Sequence, residues 1–148
     1  MHHQHHTFFC SFVVHIQIMS DKRSYLIDCD TYNGIIKIVY QDDHEFNIND
    51  AKQTLKDLEE LTNGKSFPIL KIPGKYSSID SDARKFISSP EGMKYSSAEA
   101  FVTTFLPHRI IGNFYMKINK PVKPTAFFET EKQAVEWVKQ FIVVEITC

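Results

Sequence analysis

Cysteine is scarce in this chain of 148 residues: Cys10, Cys29 and Cys148 are odd in number and far apart, and none forms a C-x-x-C pair. That spacing excludes a disulfide scaffold and fits thiols that serve as small apolar side chains in a reduced, cytoplasmic protein. Glycine and proline are few, five and six residues, which excludes collagen-like and low-complexity chains. Neither charge sign dominates, because seventeen basic and eighteen acidic residues leave a net charge of −1. Such a balance argues against a protein that coats nucleic acid or anionic membrane. No apolar run is long enough to cross a bilayer, since the stretch at residues 8–19 falls well short of about 20 residues. Also missing are G-x-G-x-x-G, a P-loop, G-x-S-x-G, H-E-x-x-H and any spaced Cys/His metal set, so no catalytic constellation or cofactor site is expected.

What is present is an ordinary globular composition, 43% hydrophobic and 24% charged. A chain of this length buries about 69% of its surface on folding, enough for one core without staples. Residues 1–19 stand apart, with no Lys, Arg, Asp or Glu among them. Their apolar part has the length of a signal-peptide core, but His replaces the usual basic residues and no small-x-small cleavage site follows. Neither secretion nor membrane insertion is expected. Met19-Ser20-Asp21-Lys22 reads like an ordinary start, which makes residues 1–19 an extension of doubtful status and residues 20–148 a single domain. Within the extension, alternation at residues 12–18 allows an additional strand, and His2, His3, His5 and His6 resemble a tag more than a preorganised metal site. At the other end, residues 141–148 are apolar and β-branched and fit a further strand or a core contact.

From residue 24 the elements follow in a definite order. Residues 24–28 and 35–40 are β-rich and joined through Thr31-Tyr32-Asn33-Gly34, a hairpin signal. Asn49 is placed to cap a helix with Ala51, Leu55, Leu58 and Leu61 on one face, ended by Asn63-Gly64. A strand at 67–72 stops at Pro73-Gly74. A helix then starts at Asp80 or Ser81, and Ser89-Pro90-Glu91 has the cap pattern of a second short one. The spacing next predicts a strand at 100–105, a helix opened by Pro107 and broken at Asn119-Lys120-Pro121, and a strand at 125–128. A last helix follows, with Thr130 to Gln133 as its capping box and Ala134, Val135, Val138, Phe141 and Ile142 as its stripe. The resulting ββαβαβαβα order implies an α/β (α+β) sandwich with a mixed, mainly parallel sheet, an N-terminal antiparallel hairpin and helices packed on the sheet.

That order resembles the STAS domain, the fold of SpoIIAA-like anti-sigma factor antagonists, and most of all the small uncharacterised bacterial proteins of the STAS/SEC14-like or SpoIIAA-like group. The residues that carry the resemblance are Tyr32-Asn33-Gly34-Ile35-Ile36-Lys37-Ile38, Ile79-Asp80-Ser81-Asp82-Ala83-Arg84 and Arg109-Ile110-Ile111-Gly112-Asn113-Phe114-Tyr115-Met116-Lys117-Ile118-Asn119-Lys120-Pro121. The antagonists carry a phosphorylated Ser at a helix start, in a D-S-[ST]-G-like motif, that switches partner binding off. Asp80, Ser81 and Asp82 stand in that place, with Asp82-Ala83 where the motif has a residue and Gly. Phosphate there would meet free N–H groups and the positive end of the helix dipole, whereas the plain alternative is a helix cap at Asp80 or Ser81.

Charge is unevenly spread. Residues 42–60 hold seven acids against Lys52 and Lys56, and residues 100–128 hold Arg109, Lys117, Lys120 and Lys123 with no acid. The second segment is a candidate surface for an anionic ligand or acidic partner, weighed against an ordinary solvated face. His44 sits in an acidic turn, and His108 would need an orienting carboxylate to serve as a base. Two readings follow. The first is a non-enzymatic STAS-like interaction module, regulatory and cytoplasmic, that binds a protein partner through residues 77–83. The second is a SpoIIAA/SEC14-like domain for a small apolar, anionic or lipid ligand. Neither calls for nucleic acid or a transmembrane segment, and the apolar ends also allow a homodimer.

Overall fold

The structure, a computed structural model, describes residues 23–143. The expectations for residues 1–19, including the histidine cluster and an added strand, lie outside the described residues, as do Cys148 and the last residues of the apolar C-terminal tail. Five strands form the main sheet: β1 (Tyr25–Asp28), β2 (Ile36–Tyr40), β4 (Phe67–Ile72), β6 (Ser96–Val102) and β7 (Thr125–Phe128), in the order β1-β2-β4-β6-β7. β1 runs antiparallel to β2, with Tyr25 opposite Tyr40 and Asp28 opposite Lys37, and every other neighbour is parallel. Two-residue strands β3 (Glu45–Phe46) and β5 (Ser78–Ile79) pair in parallel as a separate ribbon.

Side-chain alternation assigns each helix to a face. Ile27, Ile36, Ile38 and Ile69 point one way and bury Leu58 and Leu61 of α1 (Ile48–Thr62). Ile35, Leu70, Ala98 and Ala100 point the other way, against Ala134 and Val138 of α4 (Glu131–Val138), which a short 3₁₀ turn (Lys139–Phe141) extends. The alanines let α4 approach the sheet closely. α2 (Ser81–Ile87) joins α1 through Ala83, Ala51 and Phe46, and α3 (Leu106–Phe114) continues as a π-helical turn (Tyr115–Asn119).

Three expectations shift. α1 is capped by Asn47 rather than Asn49: the Asn47 side chain accepts from the Asn49 and Asp50 N–H groups while Asp50 accepts from the Asn47 N–H, a reciprocal box. Ser89-Pro90-Glu91 forms turns and no helix: the Ser89 hydroxyl accepts from the Gly92 N–H as a cap does and donates to the Phe86 carbonyl, but the chain turns into β6 at Ser96 before a helix develops. β6 begins at Ser96 instead of residue 100, since buried Ser96 and Glu99 belong to a fully enclosed strand and hide its apolar period. Pro68 sits inside β4, where it cannot donate to the ladder, and the register with β6 shifts between Phe67 and Pro68.

Candidate functional site

The parallel strands end on the same side, where open α/β sheets hold ligands. There a cavity of about 200 Å³ lies between the sheet, the α2–α3 side and the β3–β5 ribbon. Its floor comes from alternate residues on one face of adjacent strands: Tyr40 of β2, Lys71 of β4, Phe101 of β6 and Phe127 of β7. Its roof is the inner face of α3, where Ile111, Gly112 and Tyr115 recur at helical spacing. A Cβ at Gly112 would sit 2.8 Å from the Phe127 ring, so glycine is what lets this helix lie against the aromatic floor. Gly74 does the same for the rim, where a Cβ would meet the Gln41 carbonyl. The Asp43 N–H donates to the Lys75 carbonyl at 2.9 Å, and the Lys75 N–H to Asp42 at 2.7 Å, fixing the two rim loops to each other.

Aromatic rings cluster on one side of the wall. Phe101 and Phe127 stack with centroids 4.7 Å apart and 13° between planes, and Tyr115 meets both edge-on. Polar groups at the rim include Gln41 and Ser78, which are exposed, and two charged groups are buried beneath the floor. Lys71 Nζ comes within 2.8 Å of Glu99 Oε1, a charge contact off hydrogen-bond alignment, and lies over the Phe101 ring. The Ser96 hydroxyl donates to Glu99 Oε2 at 2.7 Å. Burial opposes the charge on Lys71, but the Glu99 carboxylate prevails and raises the ammonium above its ordinary range. The Tyr115 hydroxyl is buried with no hydrogen-bond partner; burial, with the nearby Glu99 and Tyr40, pushes its pKa far up, so it stays a donor.

Both histidines among the described residues are engaged. His44 Nε2 lies 2.8 Å from Asp50 Oδ2, the carboxylate that also completes the α1 cap. His108 Nε2 bonds the Ser77 carbonyl at 3.0 Å, which places its proton on Nε2. In that tautomer it cannot take a proton from Ser77 Oγ at 3.5 Å, and Ser77 Oγ donates instead to the Gly74 carbonyl at 2.6 Å.

The residues singled out in the sequence are distributed as follows. Asp80 caps α2, its Oδ1 accepting from the Ala83 N–H at 2.8 Å, while Ser81 and Asp82 are exposed in the first turn. Arg109, on the outer side of α3, bridges Glu129 at 3.0 Å. Lys117 is exposed in the π-helical turn, Lys120 ends it at φ 51°, and Lys123 lies in the link to β7. None of these four lines the cavity, whose cations are Lys71 and Arg84. The basic segment shares its surface with an apolar ridge: Leu106, Ile110 and Ile118 are 61%, 60% and 63% exposed, with Phe114 and Val122 beside them. The acidic segment is less solvated than its composition implies, because Asp57 is buried against Arg23, Tyr25 and Gln53. No described helix is long and apolar enough to cross a membrane.

Mixed strand directions and a leading hairpin define the class of fold, and a solved structure agrees. The chain is similar to an uncharacterized protein of the DUF3478 family with a SpoIIAA-like fold from Shewanella loihica PV-4, at 15% identity and a TM-score of 0.50, over 80% of this chain and 97% of the other. The SpoIIAA-like resemblance read from the sequence is thus borne out as fold. The chain belongs to the family described as a domain of unknown function, DUF7793, whose profile matches residues 29–142. Comparison with the curated proteins finds no match.

Proposed function

We propose that this domain is a binding module for a small, mainly apolar molecule, held without chemical change in the cavity under α3. One observation carries the reading: a pocket of about 200 Å³ at the carboxyl ends of parallel strands, apolar on most sides, with Tyr40, Phe101, Tyr115 and Phe127 among its lining residues. That volume exceeds the roughly 150 Å³ of an engineered cavity that takes benzene. A non-catalytic role is supported by the engagement of His44 and His108, whose Nε2 atoms are committed to Asp50 and the Ser77 carbonyl. The test is an NMR titration with the neutral probes benzene and indole. Saturable shifts are expected at Tyr40, Phe101, Tyr115 and Phe127, and Ile111→Trp, which fills the cavity from the roof, is expected to remove them. Absence of shifts in the wild type would overturn the proposal.

The exposed ridge on α3 favours a second reading, a regulatory protein-interaction module in which Leu106, Ile110 and Ile118 contact a partner whose acidic rim meets Lys117 and Lys120. A stoichiometric protein retained by the wild type and lost from Ile110→Glu, with the probe shifts unchanged, would favour it.

A further inference from the structure

We infer that the outer face of α3 and the turn that follows it dock on an anionic lipid bilayer, the apolar ridge dipping into the interface and the lysines beside it meeting the head groups. The contact is separate from the cavity, so its failure would leave the ligand-binding reading untouched. Leu106, Ile110, Phe114 and Ile118 follow one another at four-residue steps, so each side chain adjoins the next along one row. All four are exposed. Apolar residues scattered singly over a surface are ordinary, but a contiguous row marks a place of contact.

Positive charge borders this row. Lys117 lies three residues after Phe114 and seven after Ile110, which sets it beside the row, and Lys120 and Lys123 follow with exposed Val122 between them. Arg109 is paired with Glu129, but no carboxylate pairs with Lys117, Lys120 or Lys123 among the described residues. The net charge of −1 conceals this face, because the acids gather elsewhere. α1, within the acidic segment, packs on Ile36 and Ile38 of β2, whereas Gly112 of α3 lies against Phe127 of β7 at the edge of the sheet. β2 and β7 are three strand spacings apart, roughly 14 Å, which exceeds the Debye length of about 8 Å in physiological salt. The basic face therefore meets a negative surface without the acidic pole cancelling it.

Composition selects a bilayer over a protein. Protein interfaces are enriched in Tyr, Trp and Arg and depleted in Lys, and Leu and Val are under-represented among their hot spots. A row of Leu, Ile and Phe bordered by Lys is instead the make-up of a helix lying in a membrane interface, where lysine stems stay apolar and their ammonium groups reach anionic head groups. A second copy fits worse, because a two-fold contact through this face would bring two sets of unpaired lysines together.

The experiment is vesicle flotation of the full chain with phosphatidylcholine alone and with phosphatidylserine mixed in, at low and high salt. Binding to the mixed vesicles only, weakened by salt, is expected. Lys117→Gln and Lys120→Gln are each expected to weaken it about fivefold, which corresponds to about 1 kcal/mol for a lysine near such a surface. Ile110→Glu and Ile118→Glu, at exposed positions, are expected to abolish it while thermal unfolding stays that of the wild type. On mixed vesicles Ile118→Trp is expected to show a blue-shifted fluorescence that the wild type, with Trp137 alone, does not. No binding to either vesicle, or equal binding to both, would overturn the proposal. Binding that survives Ile110→Glu and Ile118→Glu would place the contact elsewhere in the chain and overturn the assignment to α3. A protein held stoichiometrically by the ridge, with vesicles left unbound, would overturn it in favour of the protein partner.

Discussion

Lys71 and Glu99 show how two charged side chains come to be buried on adjacent strands of one face. Lys71 is opposite Phe101 in the β4–β6 register, and Glu99 is two residues earlier on β6, so alternation puts both on the cavity face. Removing two charges from water costs several kcal/mol each, and their attraction compensates only while both are present. Lys71→Met is therefore expected to destabilise the fold by about 3–5 kcal/mol, leaving Glu99 charged against Phe101 with only Ser96 as donor. The double variant Lys71→Met/Glu99→Met is expected to regain most of that loss, because apolar side chains of similar volume replace the pair. Urea unfolding of wild type and the three variants in the cycle measures the coupling. Additive losses would show that the two groups do not compensate each other. Neither member was legible in the sequence: Lys71 lies in an apolar run that reads as an ordinary strand, and Glu99 follows three small residues that look like a loop. What was missing was the pairing of strands, which spans 28 positions.

The element on which the site turns is α3. Its outer residues, Leu106, Ile110 and Phe114, follow the i, i+4 spacing; Gly112 is the buried inner position, continued by Tyr115 in the π-helical turn, while Ile111 lines the cavity at 37% exposure. The sequence located this helix from Pro107 and its end from Asn119-Lys120-Pro121, but both stripes are apolar and periodicity alone could not say which is buried. Gly112 decides it by contact with Phe127. Glycine to alanine inside a helix ordinarily gains up to about 1 kcal/mol. Here the new methyl would meet a ring at 2.8 Å that is itself stacked on Phe101, and overpacking costs typically 1–3 kcal/mol. Gly112→Ala is expected to be net destabilising by about 1 kcal/mol or more in thermal unfolding, and Phe127→Leu in the same chain to relieve part of it. A stabilised Gly112→Ala protein would mean that α3 does not press on the aromatic floor. The cap of α1 shows the same limit at shorter range, since two asparagines compete and Asn47 is chosen because Asp50 stands three residues beyond it.

At the scale of the whole molecule, α4 is fastened to the far face by one carboxylate. Glu131 Oε2 accepts from Tyr32 of the hairpin loop and from Lys37 of β2 at 3.0 Å, joining the chain's beginning to its end. Burial works against the charge on Glu131, but the bonds from Tyr32 and Lys37 prevail and hold its carboxyl below the usual range. The bond to Glu131, with burial, raises the Tyr32 phenol to about 12. A depressed carboxyl contributes stability that is complete above its unfolded value, about 4.3, and is lost as pH falls through the folded one. A raised phenol contributes stability that is complete below about 10 and is lost as pH rises through the folded value. Glu131→Gln is accordingly expected to lower stability at pH 7 and to converge with the wild type below about pH 4. Chemical denaturation across pH measures this, and a gap that persists undiminished at pH 3 would disprove it.

Some of this architecture is local and so was determined by sequence alone. Asn33-Gly34 turns the chain into a hairpin, with Gly34 at φ 80°, and the Thr130 hydroxyl caps α4 by accepting from the Gln133 N–H. Strand and helix periods then fix the ββαβαβαβα order of the main sheet and its helices, because each depends only on neighbours a few residues apart, whereas the two-residue strands β3 and β5 are too short to show a period. Tertiary structure decided everything that depends on distant residues meeting: the side of α3 that turns inward, the burial of Lys71 with Glu99, and the seating of Arg84 at a cavity wall away from the basic segment around Lys117 and Lys120. A cavity is empty space between elements, and no period, cap or motif within one element records it.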